Sequence, residues 1–178
     1  ASGGVSGVVP CGTTGESPTL SHDEWRAVIE RTVRTASKFD LQVIAGAGSN
    51  STATAIDQQR EAESFGVDLT LQVVPYYNKP SQEGLFRHFH AIADASSVGI
   101  VLYDVPGRTG VGLTAETIGR LAEHPRIVGL KAASGSVSFV SDVLDVCDLA
   151  VLSGDDPLTL AIQCHGGVGF ISVVSNLI

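Results

Sequence analysis

The segment Ile127-Val128-Gly129-Leu130-Lys131 puts a lysine at the end of a short apolar run. Pro125 leads into the run, and the small residues Ala132, Ala133, Ser134 and Gly135 follow it. An apolar, β-branched segment punctuated at both ends reads as a strand buried on both faces. Burial disfavours the charged form of an amine, so a lysine at the exit of such a strand has a lowered pKa. A neutral amine near pH 7 is a nucleophile that can form a Schiff base with a carbonyl substrate. The plainer reading is a buried stem whose ammonium head reaches water. Lys38 and Lys79, the other two of the chain's three lysines, sit in polar or turn contexts.

Other residues of suitable chemistry fall at the ends of similar apolar runs. Gly12-Thr13-Thr14-Gly15-Glu16-Ser17 offers two hydroxyls and several backbone N–H groups in a glycine-flanked turn, which can hold a small carboxylate or be a tight turn and no more. Tyr76 and Tyr77 stand between Pro75 and Pro80, whose rigidity fixes their placement. Tyr103 ends a run and is followed by Asp104-Val105-Pro106-Gly107-Arg108-Thr109-Gly110. A phenol there can transfer protons, and an arginine on a Pro-Gly turn can clamp a carboxylate through two hydrogen bonds. Ser153-Gly154-Asp155-Asp156 reads as a helix cap, and Gly167 and Gly169 let something approach the backbone closely. His88 and His90 lie two apart in a helical pattern, a poor spacing for one face, and no metal site emerges. Nucleophilic amine, phenol, hydroxyl turn and guanidinium together describe Schiff-base chemistry on a 2-oxo acid, which needs no cofactor.

These residues must be held by the elements between them. Apolar or β-branched runs occur at 5–9, 42–45, 69–74, 99–103, 127–131, 149–152 and 168–173. Amphipathic helix patterns alternate with them, at 51–65, 83–95, 114–123 and 136–146, with a short last one from Asp156. The clearest follows Ser21 and Glu24, a capping-box pair, and sets Trp25, Val28, Ile29, Thr32, Val33 and Ala36 on one face. Strand–helix alternation with apolar strands is the pattern of a parallel sheet covered by helices. Seven repeats in 178 residues, against eight in about 250 for a complete barrel, predict an α/β fold. The expected architecture is a (β/α)8 TIM barrel, truncated, with the first strand–helix unit and the C-terminal helices absent. An open doubly wound sheet is the alternative, weakened by the lack of a Gly-x-Gly-x-x-Gly fingerprint after the first strand. Residues 1–178 read as a single domain with no linker.

Bulk properties narrow the partners. A net charge of −8 argues against nucleic acid or an anionic membrane. No apolar run is long enough to span a bilayer, and no signal peptide is evident, so a cytoplasmic location is expected. Cys11, Cys147 and Cys164 are odd in number and widely spaced, and read as small core residues in a reducing compartment.

Taken in order, Gly12-Thr13-Thr14-Gly15-Glu16-Ser17, Tyr76-Tyr77-Asn78-Lys79-Pro80, Tyr103-Asp104-Val105-Pro106-Gly107-Arg108-Thr109, Gly129-Leu130-Lys131 and Ser153-Gly154-Asp155-Asp156 resemble the motifs of one family. It is the 4-hydroxy-tetrahydrodipicolinate synthase (dihydrodipicolinate synthase) family, within the N-acetylneuraminate lyase and class I aldolase-like superfamily. The resemblance implies a lyase that condenses pyruvate with L-aspartate 4-semialdehyde on the path to diaminopimelate and lysine, built as a homotetramer from dimers. It implies that Lys131 forms the Schiff base, that Tyr103, Thr13 and Tyr77 relay protons, and that Tyr77 reaches into a neighbouring subunit's site. It further implies that Thr14 holds the pyruvate carboxylate, that Arg108 receives the semialdehyde's carboxylate, and that Gly154 and Ile171 line the pocket with backbone. Ser17, His22, Asn50 and Tyr76 match a lysine feedback site. Trp25 stands there where a second histidine can occur, and Thr54 where regulated members often carry glutamate, so weak or absent inhibition is expected. Asp104 replaces a common asparagine, and Ala132 replaces an acidic residue common after the lysine. Competing readings are another pyruvate-dependent aldolase of the superfamily, acting on N-acetylneuraminate or a 2-keto-3-deoxy sugar acid, and a non-catalytic barrel that binds a 2-oxo acid.

Overall fold

The structure, a computed structural model, describes residues 3–177. Its strands are β1 (Gly7–Val8), β2 (Gln42–Gly46), β3 (Leu69–Val73), β4 (Gly99–Asp104), β5 (Ile127–Ala132), β6 (Ala150–Ser153) and β7 (Gly169–Phe170). The helices are α1 (His22–Ala36), α2 (Thr52–Ser64), α3 (Gln82–Asp94), α4 (Pro106–Thr109), α5 (Ala115–Ala122), α6 (Val137–Leu144) and α7 (Thr159–Cys164). All strand pairs are parallel and follow chain order from β1 to β7. A doubly wound sheet reverses its order at a switch point. This sheet never reverses, which is the strand arrangement of a barrel wall. The expected α/β barrel architecture therefore holds, and the doubly wound alternative does not.

Local chemistry sets the helix starts. The Ser21 Oγ accepts from Glu24 N–H, and the Glu24 carboxylate accepts from Ser21 N–H at 2.8 Å, closing the capping box of α1. Ser51, Ser81, Thr114 and Ser136 cap α2, α3, α5 and α6 in the same way with one hydroxyl each. On α1, Trp25, Ile29 and Ala36 are buried as the periodicity predicts, but Val28 is 40% exposed. At about 100° per residue, Val28 points about 100° away from Ile29, onto the helix flank. Cys164 also departs from its expected core position: it is exposed at the end of α7.

The core has two sides. Ile100, Leu102, Ile127, Leu130 and Ala132 face the helix layer and pack with Leu85, Phe89, Ile118 and Val140. Leu71, Val101, Tyr103 and Val105, with Val9, Ile44 and Leu152 against them, fill the inner side of the curled sheet. The β4–β5 register slips by one residue between Ile100 and Val101, which pair with Ile127 and Gly129. Val128 is the extra residue, and it is 40% exposed rather than buried on a two-sided strand. Such a bulge reverses the alternation of side chains beyond it. Without it Lys131 would share the helix-facing side of Ile127. With it, Leu130 and Ala132 turn to the helices and Lys131 turns inward.

Candidate active site

Lys131 is the penultimate residue of β5, half-buried, with its Nζ 4.3 Å from the centroid of the Tyr103 ring. Burial first, and then the nearby Arg108 charge, lower its pKa from the ordinary 10.5 to about 8 against the opposing charge of Asp156. Gly154 makes room for the stem. A Cβ there would lie 2.8 Å from Lys131 Cε and 3.0 Å from Cγ. The lysine is thus held in the bore by neighbouring backbone, and a neutral minority of its amine becomes available near pH 7.

Tyr103, paired with Lys131 across β4 and β5, is 6% exposed. Burial pushes its phenol above the usual tyrosine range, and the Thr13 side chain, hydrogen-bonded to it, and the Arg108 charge draw it partly back. A phenol that keeps its proton can donate one. Thr13 stands in the turn after β1, where Glu16 N–H donates to the Thr13 carbonyl at 3.1 Å.

Thr13, Tyr103 and Arg108 line a cavity of about 520 Å³, shared with Ser17, Trp25 and Tyr76. The Trp25 indole N–H donates to Gly46 O at 2.9 Å, which anchors that wall. Among the described residues no Asp or Glu lines the cavity, and Arg108 is its one charged side chain. In a chain of net charge −8, this concentrates positive potential where a carboxylate would bind. Arg108 reaches the cavity from α4, a single helical turn that follows β4 and starts at Pro106.

Other predicted residues lie further out. Thr14 is exposed at the tip of its turn. Tyr77 is 88% exposed and adopts a left-handed φ of 74°, a conformation seldom seen in a bulky residue. Gly154 N–H donates to Ala132 O at 2.7 Å, which keeps it against the lysine, and Ile171 N–H donates to Ser153 O at 2.8 Å. Of the residues matched to a feedback site, Ser17 and Tyr76 line the cavity, and Asn50 Nδ2 donates to Tyr76 O at 3.1 Å. His22 stacks on Trp25 at 5.8 Å and meets Glu61 Oε2 at 3.0 Å. Thr54 also lines the cavity.

Sequence reasoning gave the Ser153–Asp156 motif to an ordinary helix cap, but Asp156 does something else. Its Oδ2 accepts from Val173 N–H at 3.1 Å and Val174 N–H at 3.2 Å, and Ser172 also bonds it, holding its carboxyl below the usual range. The contact spans 17 residues, so nothing in the local motif could have shown it. No cluster of three or more metal-ligating side chains occurs among the described residues. No described helix is long and apolar enough to cross a membrane.

Comparison with known proteins gives concordant results. The model of the dihydrodipicolinate synthetase family matches residues 1–178. A 4-hydroxy-tetrahydrodipicolinate synthase of Leptospira biflexa serovar Patoc is 54% identical over 176 residues, covering 98% of this chain and 60% of the relative. One from Thermodesulfovibrio yellowstonii is 51% identical over 176 residues, with the same coverage of 98% and 60%. The structure superimposes on the 4-hydroxy-tetrahydrodipicolinate synthase of Methylacidiphilum fumariolicum SolV with a TM-score of 0.97 and 50% identity, over 99% of this chain and 59% of that one. A chloride-inhibited dihydrodipicolinate synthase from Acinetobacter baumannii, complexed with pyruvate, matches with a TM-score of 0.96 and 46% identity, over 99% of this chain and 61% of that one. The chain spans about 60% of the length of the curated relatives it matches.

Proposed function

The chain belongs to the dihydrodipicolinate synthetase family, and from that premise we propose that it carries the active site of a 4-hydroxy-tetrahydrodipicolinate synthase. The carrying observation is a half-buried lysine of lowered pKa against a buried phenol, beside a cavity whose one charged side chain is an arginine. The Lys131 amine attacks the ketone carbon of pyruvate and water leaves, giving an imine. Loss of a methyl proton turns the imine into an enamine, whose carbon attacks the aldehyde of L-aspartate 4-semialdehyde. The amino group of the joined product then attacks the imine carbon, closes the ring and frees Lys131. The protein supplies its own electron sink through the imine, so the sequence needs no cofactor or metal.

The other residues divide the remaining work. Tyr103 and Thr13 move protons between the lysine, the substrate oxygens and solvent. Thr14 and the backbone of its turn hold the pyruvate carboxylate, Arg108 receives the carboxylate of the semialdehyde, and Gly154 and Ile171 border the lysine. Tyr77, which points out of its own chain, completes the relay of a neighbouring subunit in a tetramer built from dimers. A cytoplasmic place in diaminopimelate and lysine biosynthesis follows from that reaction.

The test compares substrates on the full-length protein. Pyruvate and aspartate semialdehyde should be consumed together, and N-acetylneuraminate and 2-keto-3-deoxy sugar acids should not be cleaved. Cleavage of a sugar acid without semialdehyde turnover would reassign the protein within the superfamily. Binding of pyruvate with no turnover of any aldehyde would leave a 2-oxo acid-binding barrel.

A further inference from the structure

Asp104 is a buried carboxylate that the proposed chemistry leaves unused. It closes β4 directly after Tyr103, yet it lies on the opposite side of the strand. Ile100 and Leu102 share its side and pack among the helices, whereas Val101 and Tyr103 face the bore. Only 1% of Asp104 is exposed. Burying an ionisable group is costly unless it is bonded, and here Oδ1 accepts Leu113 N–H at 2.9 Å. Burial pushes the carboxyl up to about 6, and that hydrogen bond acts against the rise. The fit is close, since a Cβ at Gly112 would stand 3.2 Å from Oδ1 and 3.3 Å from Pro106 Cβ. Both ends of one loop thus meet at this carboxylate.

That loop is the one that carries Arg108. Within it, Val105 O accepts from Arg108 N–H at 2.8 Å and Thr109 N–H at 3.1 Å, and Pro106 O accepts from Gly110 N–H at 2.9 Å. The Thr109 hydroxyl donates to Val111 O at 2.6 Å. On the outer side, Gln82 Nε2 donates to Gly112 O at 2.8 Å, and Gln82 Oε1 accepts Thr114 N–H at 3.1 Å. Arg108 itself takes part in none of the ion pairs among the described residues. Its position therefore depends on how firmly the base of the loop is pinned.

We propose that Asp104 is a positioning residue, whose carboxylate clasps Leu113 and so fixes the loop that presents Arg108 to the carboxylate of the second substrate. The inference rests on the Schiff-base reading above. Two parallel hydrogen bonds from a guanidinium demand a set orientation. A loosened loop costs affinity for the aldehyde and leaves imine formation at Lys131 close to wild type, because burial is the first cause of its lowered pKa.

The experiment uses the full-length protein and three variants. Asp104→Ala raises KM for aspartate semialdehyde roughly 10- to 100-fold, with the borohydride-trapped pyruvate adduct forming at the wild-type rate. Asp104→Asn keeps an oxygen that accepts from Leu113 and returns KM to near wild type. Thr109→Val loosens the same loop without touching Asp104, and gives the same split between substrates should Asp104→Ala not fold. Amide hydrogen exchange over residues 105–114 needs no substrate: it quickens in Asp104→Ala and stays at wild type in Asp104→Asn. An unchanged KM, a loss shared by both substrates, or an asparagine no better than alanine would overturn the clasp. A wild-type protein that forms the adduct but rejects the semialdehyde sinks the synthase reading, and the exchange result then decides the clasp by itself.

Discussion

Replacing Gly154 with alanine tests how tightly the lysine is held. The new Cβ would lie 2.8 Å from Lys131 Cε, 3.0 Å from Cγ and 3.1 Å from Ala133 Cβ. Carbon atoms settle at about 3.5 Å or more, so Cε must retreat by about 0.7 Å. The Tyr103 ring, 4.3 Å from Nζ, limits the retreat on one side, which leaves the way out toward water. Gly154 does not use a left-handed φ, so alanine brings no backbone strain and the penalty falls on the lysine. Two losses then combine. A misplacement of about 1 Å at a reacting atom can cost about 100-fold. A resolvated amine also drifts from a pKa of about 8 back toward 10.5 and loses its neutral fraction at pH 7. The rate of pyruvate adduct formation should fall roughly 10- to 100-fold, followed by mass spectrometry of borohydride-quenched samples, with circular dichroism showing an intact fold. Adduct formation at the wild-type rate would refute the steric argument.

Adduct formation should rise about tenfold per pH unit below a pKa of about 8 and level off above it. A profile still climbing through pH 10 would mean an ordinary lysine. His88, 5% exposed and bonded at Nδ1 to Thr52 Oγ1, has its pKa lowered by burial from 6.5 to about 4. The unfolded chain takes up this proton below 6.5 and the folded one only below about 4, so stability falls through that window by about 3 kcal/mol in all. Asp104, raised from 3.8 to about 6, works in the opposite direction: stability rises as pH falls through 6. Urea midpoints between pH 7 and 5 should therefore fall less in His88→Asn and more in Asp104→Asn; two slopes equal to wild type would contradict this. Lysine titrated into the assay should inhibit weakly or not at all, because no carboxylate lines the cavity to pair with its ammonium. Strong inhibition at sub-millimolar lysine would show otherwise.

Strand and helix alternation was legible because each element carries its own punctuation. The capping serines and threonines start α1, α2, α3, α5 and α6 within a residue of where periodicity puts them. The Lys131, Tyr103 and Arg108 trio was legible because chemistry in a barrel gathers at strand ends. The direction of Lys131 was not. Reading alternation from Ile127 sends it toward the helices, and only the bulge at Val128, a property of pairing between two strands, turns it inward. Asp104 stood out in the sequence only as a replacement for a common asparagine. Its clasp on Leu113, nine residues away, depends on a loop path that no local pattern encodes. Asp156 escaped for the same reason, since its partners lie 17 and 18 residues on. Tyr77 is exposed in its own chain, and the relay proposed for it calls on a second subunit.

One covalent bond, between Lys131 and pyruvate, carries the proposed chemistry. The full-length protein is incubated with pyruvate, reduced with borohydride, digested, and its peptides mapped by mass. A reduced pyruvyl adduct is expected on Lys131 and on neither Lys38 nor Lys79, abolished by Lys131→Met. An unmodified Lys131, or an adduct spread over all three lysines, would contradict it.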